Sequence, residues 1–342
     1  MDAGDLTGGV DLHAHWMGAD VFAAHESPGD WPRLVVDSAE CGRIMIGDRS
    51  FREVRRSLWD VGARLRDLDA AGLDLQVISP VPVTFPYVGD AGAAAGYAAA
   101  TNASIARAVA DSGGRLAGLG TVPLPHLRES VDILESVMAG SVPLVGVEIG
   151  ARIGNLELDD PRLLPFFEAA EALDAVVFVH PSDGGAGAVR RSGQPYDFGL
   201  GMHTDTALAA GALVFGGVLE RFPGLRVVLA HGCGGFAWSY PRLRLGAELL
   251  QGRDPAEIDE RVRSLYVDTL VLDAEHLRLL VHRFGAARLV LGTDHPFFPD
   301  QTAGVRDLLA GAEDDGVLAA GAARQVFRGN GLDLLRRSPV ST

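Results

Sequence analysis

His13 and His15 stand two residues apart in Val10-Asp11-Leu12-His13-Ala14-His15, a spacing that sends both side chains to one face of a strand. Neutral imidazole is a preferred ligand for zinc and related divalent ions, so two imidazoles aimed at one spot are a candidate ligand pair. Histidines also occupy cores and surfaces with no chemical duty, and the pair alone leaves both readings open. Three later runs shift the balance. Val176-Val177-Phe178-Val179-His180, Val227-Val228-Leu229-Ala230-His231 and Leu289-Val290-Leu291-Gly292-Thr293-Asp294 each end in a residue able to bind a metal or move a proton. Each is short and rich in Val and Leu, the pattern of a buried parallel strand.

Residues so far apart in sequence converge if they crown the strands of a (β/α)8 barrel, whose C-terminal strand ends form the active-site face. The rest of the chain has that rhythm. Strands are expected near 9–15, 73–79, 116–123, 143–149, 175–180, 225–231, 264–271 and 288–294. Helical patterns at 92–111, 127–139, 161–173, 203–222 and 274–284 alternate with them. A doubly wound open sheet is the competing arrangement, but candidate ligands on both the first and the last strand favour closure. The expected architecture is therefore α/β, a TIM barrel formed as one domain over 1–342. Residues 16–60 are too long for a simple loop and are expected to form a small insertion or lid beside the site. The Pro- and Gly-rich segments around 181–201 and 295–301 are expected to wall the pocket.

Composition narrows the chemistry. With 342 residues, 47% hydrophobic composition and a formal net charge of −15, the chain can bury a full core and should repel nucleic acid and anionic membrane. No charge-free apolar run is long enough to span a bilayer, and no basic segment precedes a hydrophobic one at the N-terminus, so a cytoplasmic location is expected. The two cysteines, Cys41 and Cys233, cannot build a disulfide framework. All 30 basic residues counted as Lys or Arg are arginine. Without a lysine there is no Schiff base and no carboxylated lysine to bridge two metals, which leaves a mononuclear site.

The HxH on the first strand, His180-Pro181, His231-Gly232-Cys233-Gly234 and Gly292-Thr293-Asp294-His295-Pro296-Phe297 resemble the branch of the amidohydrolase superfamily that contains 2-amino-3-carboxymuconate-6-semialdehyde decarboxylase. The resemblance runs along nearly the whole chain. It includes Gly42-Arg43-Ile44-Met45-Ile46-Gly47, Phe51-Arg52-Glu53-Val54 through Leu58-Trp59-Asp60, and Phe236-Ala237 with Arg242. It implies that His13, His15, His180 and Asp294 hold one Zn²⁺ per chain, with Mn²⁺ or Fe²⁺ as other occupants. It further implies that His231 is the acid/base beside a metal-bound water, with Asp294 its catalytic companion. Arg52 would bind a substrate carboxylate, and Arg242 would do so from the other subunit of a homodimer. The chain departs from the branch at Ser182 and Ser192, where the family has tryptophans, and at Cys233 in place of a glycine. Small residues there imply a roomier pocket, while Cys233 reads either as part of its lining or as a small buried filler.

The implied reaction is non-oxidative decarboxylation of a small acidic substrate, either carboxymuconate-semialdehyde-like or a hydroxylated aromatic acid. Arginine forks suit carboxylates. A metal-dependent hydrolase or hydratase of a lactone, amide or unsaturated acid is the alternative, because the same site chemistry serves both. A barrel retained only for binding or regulation would be expected to have lost a ligand, and this chain keeps the set.

Overall fold

The computed structural model describes residues 6–21, 31–182, 188–298 and 301–336. Eight parallel strands form the expected barrel: β1 (Gly9–Trp16), β5 (Leu73–Pro80), β6 (Leu116–Gly120), β7 (Gly146–Gly150), β8 (Val176–His180), β9 (Arg226–Leu229), β10 (Tyr266–Asp268) and β11 (Leu289–Val290), hydrogen-bonded in that order. The ring closes where the first and last strands meet. Leu12 N donates to the Leu291 carbonyl, Asp294 N to the His13 carbonyl and His15 N to the His295 carbonyl, each at 2.8 Å. The last two strands are shorter than their apolar runs. Beyond Val290 the chain stays extended against β1 but turns into the site loop.

Each strand divides its residues between two environments, as a period of two requires. In β8, Val176 and Phe178 pack inside the ring with Val228, Ala230 and Val290. Val177 and Val179 face outward into the layer between strands and helices. His180 continues the inward set, so a polar residue at that strand end enters the barrel mouth.

The helices are α1 (Val61–Ala71), α2 (Ala91–Asp111), α3 (Leu127–Ala139), α4 (Leu164–Ala172), α5 (Met202–Phe215), α6 (Val218–Arg221), α7 (Phe236–Gln251), α8 (Pro255–Ser264), α9 (Ala274–Phe284), α10 (Gln301–Asp314), α11 (Ala322–Arg324) and α12 (Asn330–Arg336). Asp60, Asp90, Asp254 and Asp273 begin four of them by accepting hydrogen bonds from first-turn amides. The helical run expected over 203–222 is two helices, because Gly217 at φ 88° takes a left-handed turn that ends α5 and starts α6. The last helix, α12, plugs the barrel floor. Leu334 and Leu335 join the inner cluster, and Arg226, the first residue of β9, donates to the Leu334 carbonyl at 2.7 Å.

Within 16–60 the chain builds a separate antiparallel sheet of β2 (Pro32–Val36), β3 (Cys41–Ile46) and β4 (Arg49–Arg55). Leu34, Ile44 and Val54 pack from it onto Met17, Leu58 and Val81, with Phe297 at the edge. The sheet therefore rests on the site end of the barrel.

Candidate active site

Three strands bring four residues together: β1 carries both His13 and His15, β8 ends in His180, and Asp294 follows β11. One potential ligand atom from each lies within 4.8 Å of those of the other three, and all four residues are buried. Each imidazole is oriented through Nδ1: His13 to Asp268 Oδ2 at 2.6 Å, His15 to the Pro80 carbonyl at 2.9 Å and His180 to the Pro181 carbonyl at 2.6 Å. The three Nε2 atoms are buried, and none of them has a hydrogen-bond partner outside the cluster. Buried polar atoms are almost always satisfied, so three such atoms aimed at one point fit a cation. Asp294 adds a carboxylate, its Oδ1 2.9 Å from His15 Nε2 and 3.8 Å from His13 Nε2. Three imidazoles and one carboxylate suit a divalent metal.

The charges are arranged to match. Burial works against ionising Asp294, but the imidazoles around it, His15 foremost, hold its pKa down to about 2. Burial pushes His15 down and His180 well down, leaving both neutral as ligands require. Burial also lowers His231, to about 4. His13 differs: burial opposes its charge, yet the Asp268 carboxylate outweighs burial and lifts it to about 9.

His231 stands against the cluster rather than in it, its ring centroid 4.8 Å from that of His180 and 5.3 Å from that of His13. Its Nδ1 has no partner. The turn that carries it is unusual, since His231, Gly232, Cys233 and Gly234 all adopt left-handed φ between 53° and 66°. Such a run presents successive amides to an anion. The anion is Asp268, which accepts from His231 N at 2.9 Å, Gly232 N at 2.8 Å and Leu270 N at 3.1 Å. One carboxylate thus fixes both a cluster imidazole and the His231 turn. Asp294 joins His231 and Cys233 as a non-glycine in the left-handed region, at φ 56°, and such strain gathers at functional sites.

Beneath β1 lies a polar network. Arg64, fully buried, donates from Nε to the Ser57 carbonyl, from Nη1 to Gln76 Oε1 and from Nη2 to the His15 carbonyl. Gln76 and Thr293 both donate to Asp11, whose other oxygen accepts from His13 N. The strand bearing the two histidines is thereby tied to the strand before Asp294.

The mouth above the cluster is aromatic. Phe51, Phe198, Phe297 and Phe298 line it together with Arg52, whose guanidinium stacks on Phe297 at 4.3 Å from the ring centroid.

A family model described as amidohydrolase matches residues 10–337. The chain belongs to the amidohydrolase family. It is 34% identical over 294 residues to 2-amino-3-carboxymuconate-6-semialdehyde decarboxylase of Dictyostelium discoideum, a match covering 84% of this chain and 81% of that one. It is 25% identical to 2-keto-4-carboxy-3-hexenedioate hydratase of Sphingobium sp., over 83% of this chain and 82% of that one. Among solved structures, the apo form of Metarhizium anisopliae IDCase superimposes with a TM-score of 0.80 at 22% identity, covering 98% of this chain and 99% of that one.

In this amidohydrolase the residues singled out from sequence fall in three places. His13, His15, His180, Asp294 and His231 converge, and Arg52 lies at the mouth. Arg242 points away, exposed on α7 beside the groove between α5 and α7. Ser182 lines the mouth, whereas Ser192 is exposed and lies away from it; Asp183 is outside the described residues. Cys233 is buried in the main core, the filler reading. Phe51, Phe198, Phe297 and Phe298 share that mouth with Ser182. Asp268 is a functional residue that the sequence reading does not single out: it falls inside the strand expected at 264–271, and only the shorter observed β10 puts it at a strand end as His180 is.

Proposed function

We propose that this amidohydrolase is a metal-dependent non-oxidative decarboxylase of a small carboxylated substrate, either carboxymuconate-semialdehyde-like or a hydroxylated aromatic acid. The observation that carries the reading is the trio of buried Nε2 atoms, unpartnered outside the cluster, beside Asp294 with a neutral His231 against them. The kinship to a named decarboxylase at 34% identity adds the reaction type. His13, His15, His180 and Asp294 would hold one Zn²⁺, or Mn²⁺ or Fe²⁺ in its place. A divalent cation there supplies Lewis acidity.

The chain's own residues do the rest. Arg52, already held over Phe297, grips a substrate carboxylate with its fork. The phenylalanines exclude water and hold a conjugated body in plane. Departure of CO2 breaks a carbon–carbon bond and leaves its electron pair on the substrate, whose own conjugation must accept it, since the chain offers no lysine for an imine. A proton then replaces CO2 at that carbon. His231, neutral and with an unpartnered Nδ1, is the group in position to hold or move it.

The second subunit enters through α7. Trp238 is 82% and Leu250 87% exposed, and with Leu245 and Leu249 they make an apolar face flanking Arg242. Monomeric proteins seldom leave such a patch to water. We take it as the contact of a homodimer in which Arg242 reaches the partner's substrate, with residues 16–60 covering each site and the whole chain acting as one domain. Among the described residues no helix is long and apolar enough to cross a membrane, and a cytoplasmic setting is part of the proposal. Mixing Arg52→Ala and Arg242→Ala chains should restore some activity through dimers with one intact site. No recovery despite measured subunit exchange rules out the crossing.

CO2 release from carboxymuconate semialdehydes and hydroxybenzoic acids by metal-loaded protein tests the reaction. The hydratase relative favours a second reading, addition of water to an unsaturated acid. Consumption of such an acid with no CO2 formed would select it.

A further inference from the structure

The site has two arms, and they differ in chemistry. The first, about 90 Å³, runs under the β3–β4 sheet past Arg52, Val81, Pro82, His180 and Ser182. The second, about 160 Å³, runs the other way past Gly199, His203, Leu270, Leu272 and Gln301. Both are bounded by Phe198, Met202, His231, Asp294 and Phe298, so they meet at the candidate acid/base. Among the described residues, the first arm has the only cation and the second has no charged side chain apart from Asp294 at the junction.

Three features of the second arm point to an apolar occupant. Leu272 is 65% exposed at its rim and held at φ 63°, a left-handed conformation that a leucine adopts only when its surroundings impose it. Phe198 stands on a π-helical turn, Asp197–Gly201, which re-aims side chains where α5 begins. Its ring is half-exposed and tilted across that of Phe298 at 5.7 Å. Burial lowers the pKa of His203, so this imidazole too is neutral. The volume is telling, since a dry cavity of about 150 Å³ lined by Leu, Ile and Phe accommodates benzene.

We propose that the substrate is an acid with an apolar substituent of about phenyl size, its carboxylate toward Arg52 and the substituent in the arm between Phe198, Leu270 and Leu272. This rests on the acid-decarboxylase reading and adds the substituent to it. The preference belongs to the second arm alone, so it separates from the chemistry at the junction.

Calorimetric titration of the Zn²⁺-loaded protein with salicylate and with its 4-phenyl and 5-phenyl derivatives tests it. Burying a phenyl group corresponds to roughly 10- to 100-fold in affinity, so at least one isomer should bind about tenfold or more tightly than salicylate. Leu272→Gly, which relieves the left-handed strain and removes the apolar wall, should bring the two acids to within about threefold. Leu272→Asp should do the same, guarding against a general loosening of the glycine loop. Equal affinities in the wild type, as when the chain or a second copy fills the arm, overturn the proposal, and so does a phenyl advantage that survives both variants. Arg52→Ala separates the two readings. If it weakens salicylate while phenyl brings no gain, only the substituent is wrong; if it leaves salicylate unaffected, the acid reading falls and this one with it.

Discussion

Replacing Asp268 by Asn should do far more damage than the loss of one charge suggests. Oδ2 accepts from His13 Nδ1 and His231 N, and Oδ1 from Gly232 N and Leu270 N. All four groups are donors, so an amide NH2 placed on either side faces two of them and satisfies neither. Two buried donors without acceptors cost about 1–3 kcal/mol each, or about 2–6 kcal/mol together. The variant should also bind metal about 10- to 100-fold more weakly, the usual effect of losing a carboxylate behind a ligand histidine. Denaturant unfolding of the apo-protein reads the first number, and competition against a chelator of known affinity reads the second. An Asn variant with wild-type stability and wild-type metal affinity would refute the view that this carboxylate organises the site.

His180→Ala and His13→Ala should each purify with little metal and little activity, while His231→Ala keeps its metal and loses about 10²–10⁴-fold in rate; metal analysis beside kinetics checks both, and the reverse pattern exchanges ligand and base. Because Asp268 holds His13 up to about 9, the apo-protein carries that proton at pH 6, whereas His15 and His180 are lowered and Asp294 is already ionised. Zn²⁺ loading at pH 6 should therefore release about one proton per cation, a number that calorimetry in buffers of differing ionisation enthalpy measures, and release of none contradicts the pairing. Its share should vanish as pH rises past 9. At Gly234 (φ 54°) an added Cβ would lie 2.2 Å from the His203 carbonyl oxygen, so Gly234→Ala should lose roughly 2–3 kcal/mol of stability and much activity, while Gly96→Ala, with open space around it in α2, should gain about 0.4–1 kcal/mol.

The barrel strands were legible because burial on both faces leaves a mark, the Val-rich run, that survives in a single sequence. The cluster was legible for a related reason: His180 and Asp294 interrupt apolar runs where nothing apolar needs them. Asp268 lacks that mark, because apolar Leu270 and Val271 follow it and the expected strand at 264–271 runs past it, whereas the strand that forms stops at Asp268. The sheet over 32–55 stayed hidden as strands, since most of β4 is exposed and its alternation carries no apolar face. Arg64 was invisible in principle, for a helical arginine looks solvent-facing in sequence and only the fold makes it wholly buried. The phenylalanines of the mouth come from β4, a π-helical turn and the loop after β11, so their convergence follows from the packing of distant segments and no periodicity reports it.

The hydrogen bonds between β1 and the stretch 291–295 join residues as much as 282 positions apart, as in Thr293 to Asp11. During synthesis the two histidines emerge with the first strand, but the carboxylate beside them emerges only after every other barrel strand has been made. Metal acquisition becomes a late event coupled to ring closure, and chains truncated before Asp294 should retain neither the ion nor the closed ring. A topology with such distant contacts also folds slowly for its size, so closure of the ring waits on the strand that leads to Asp294.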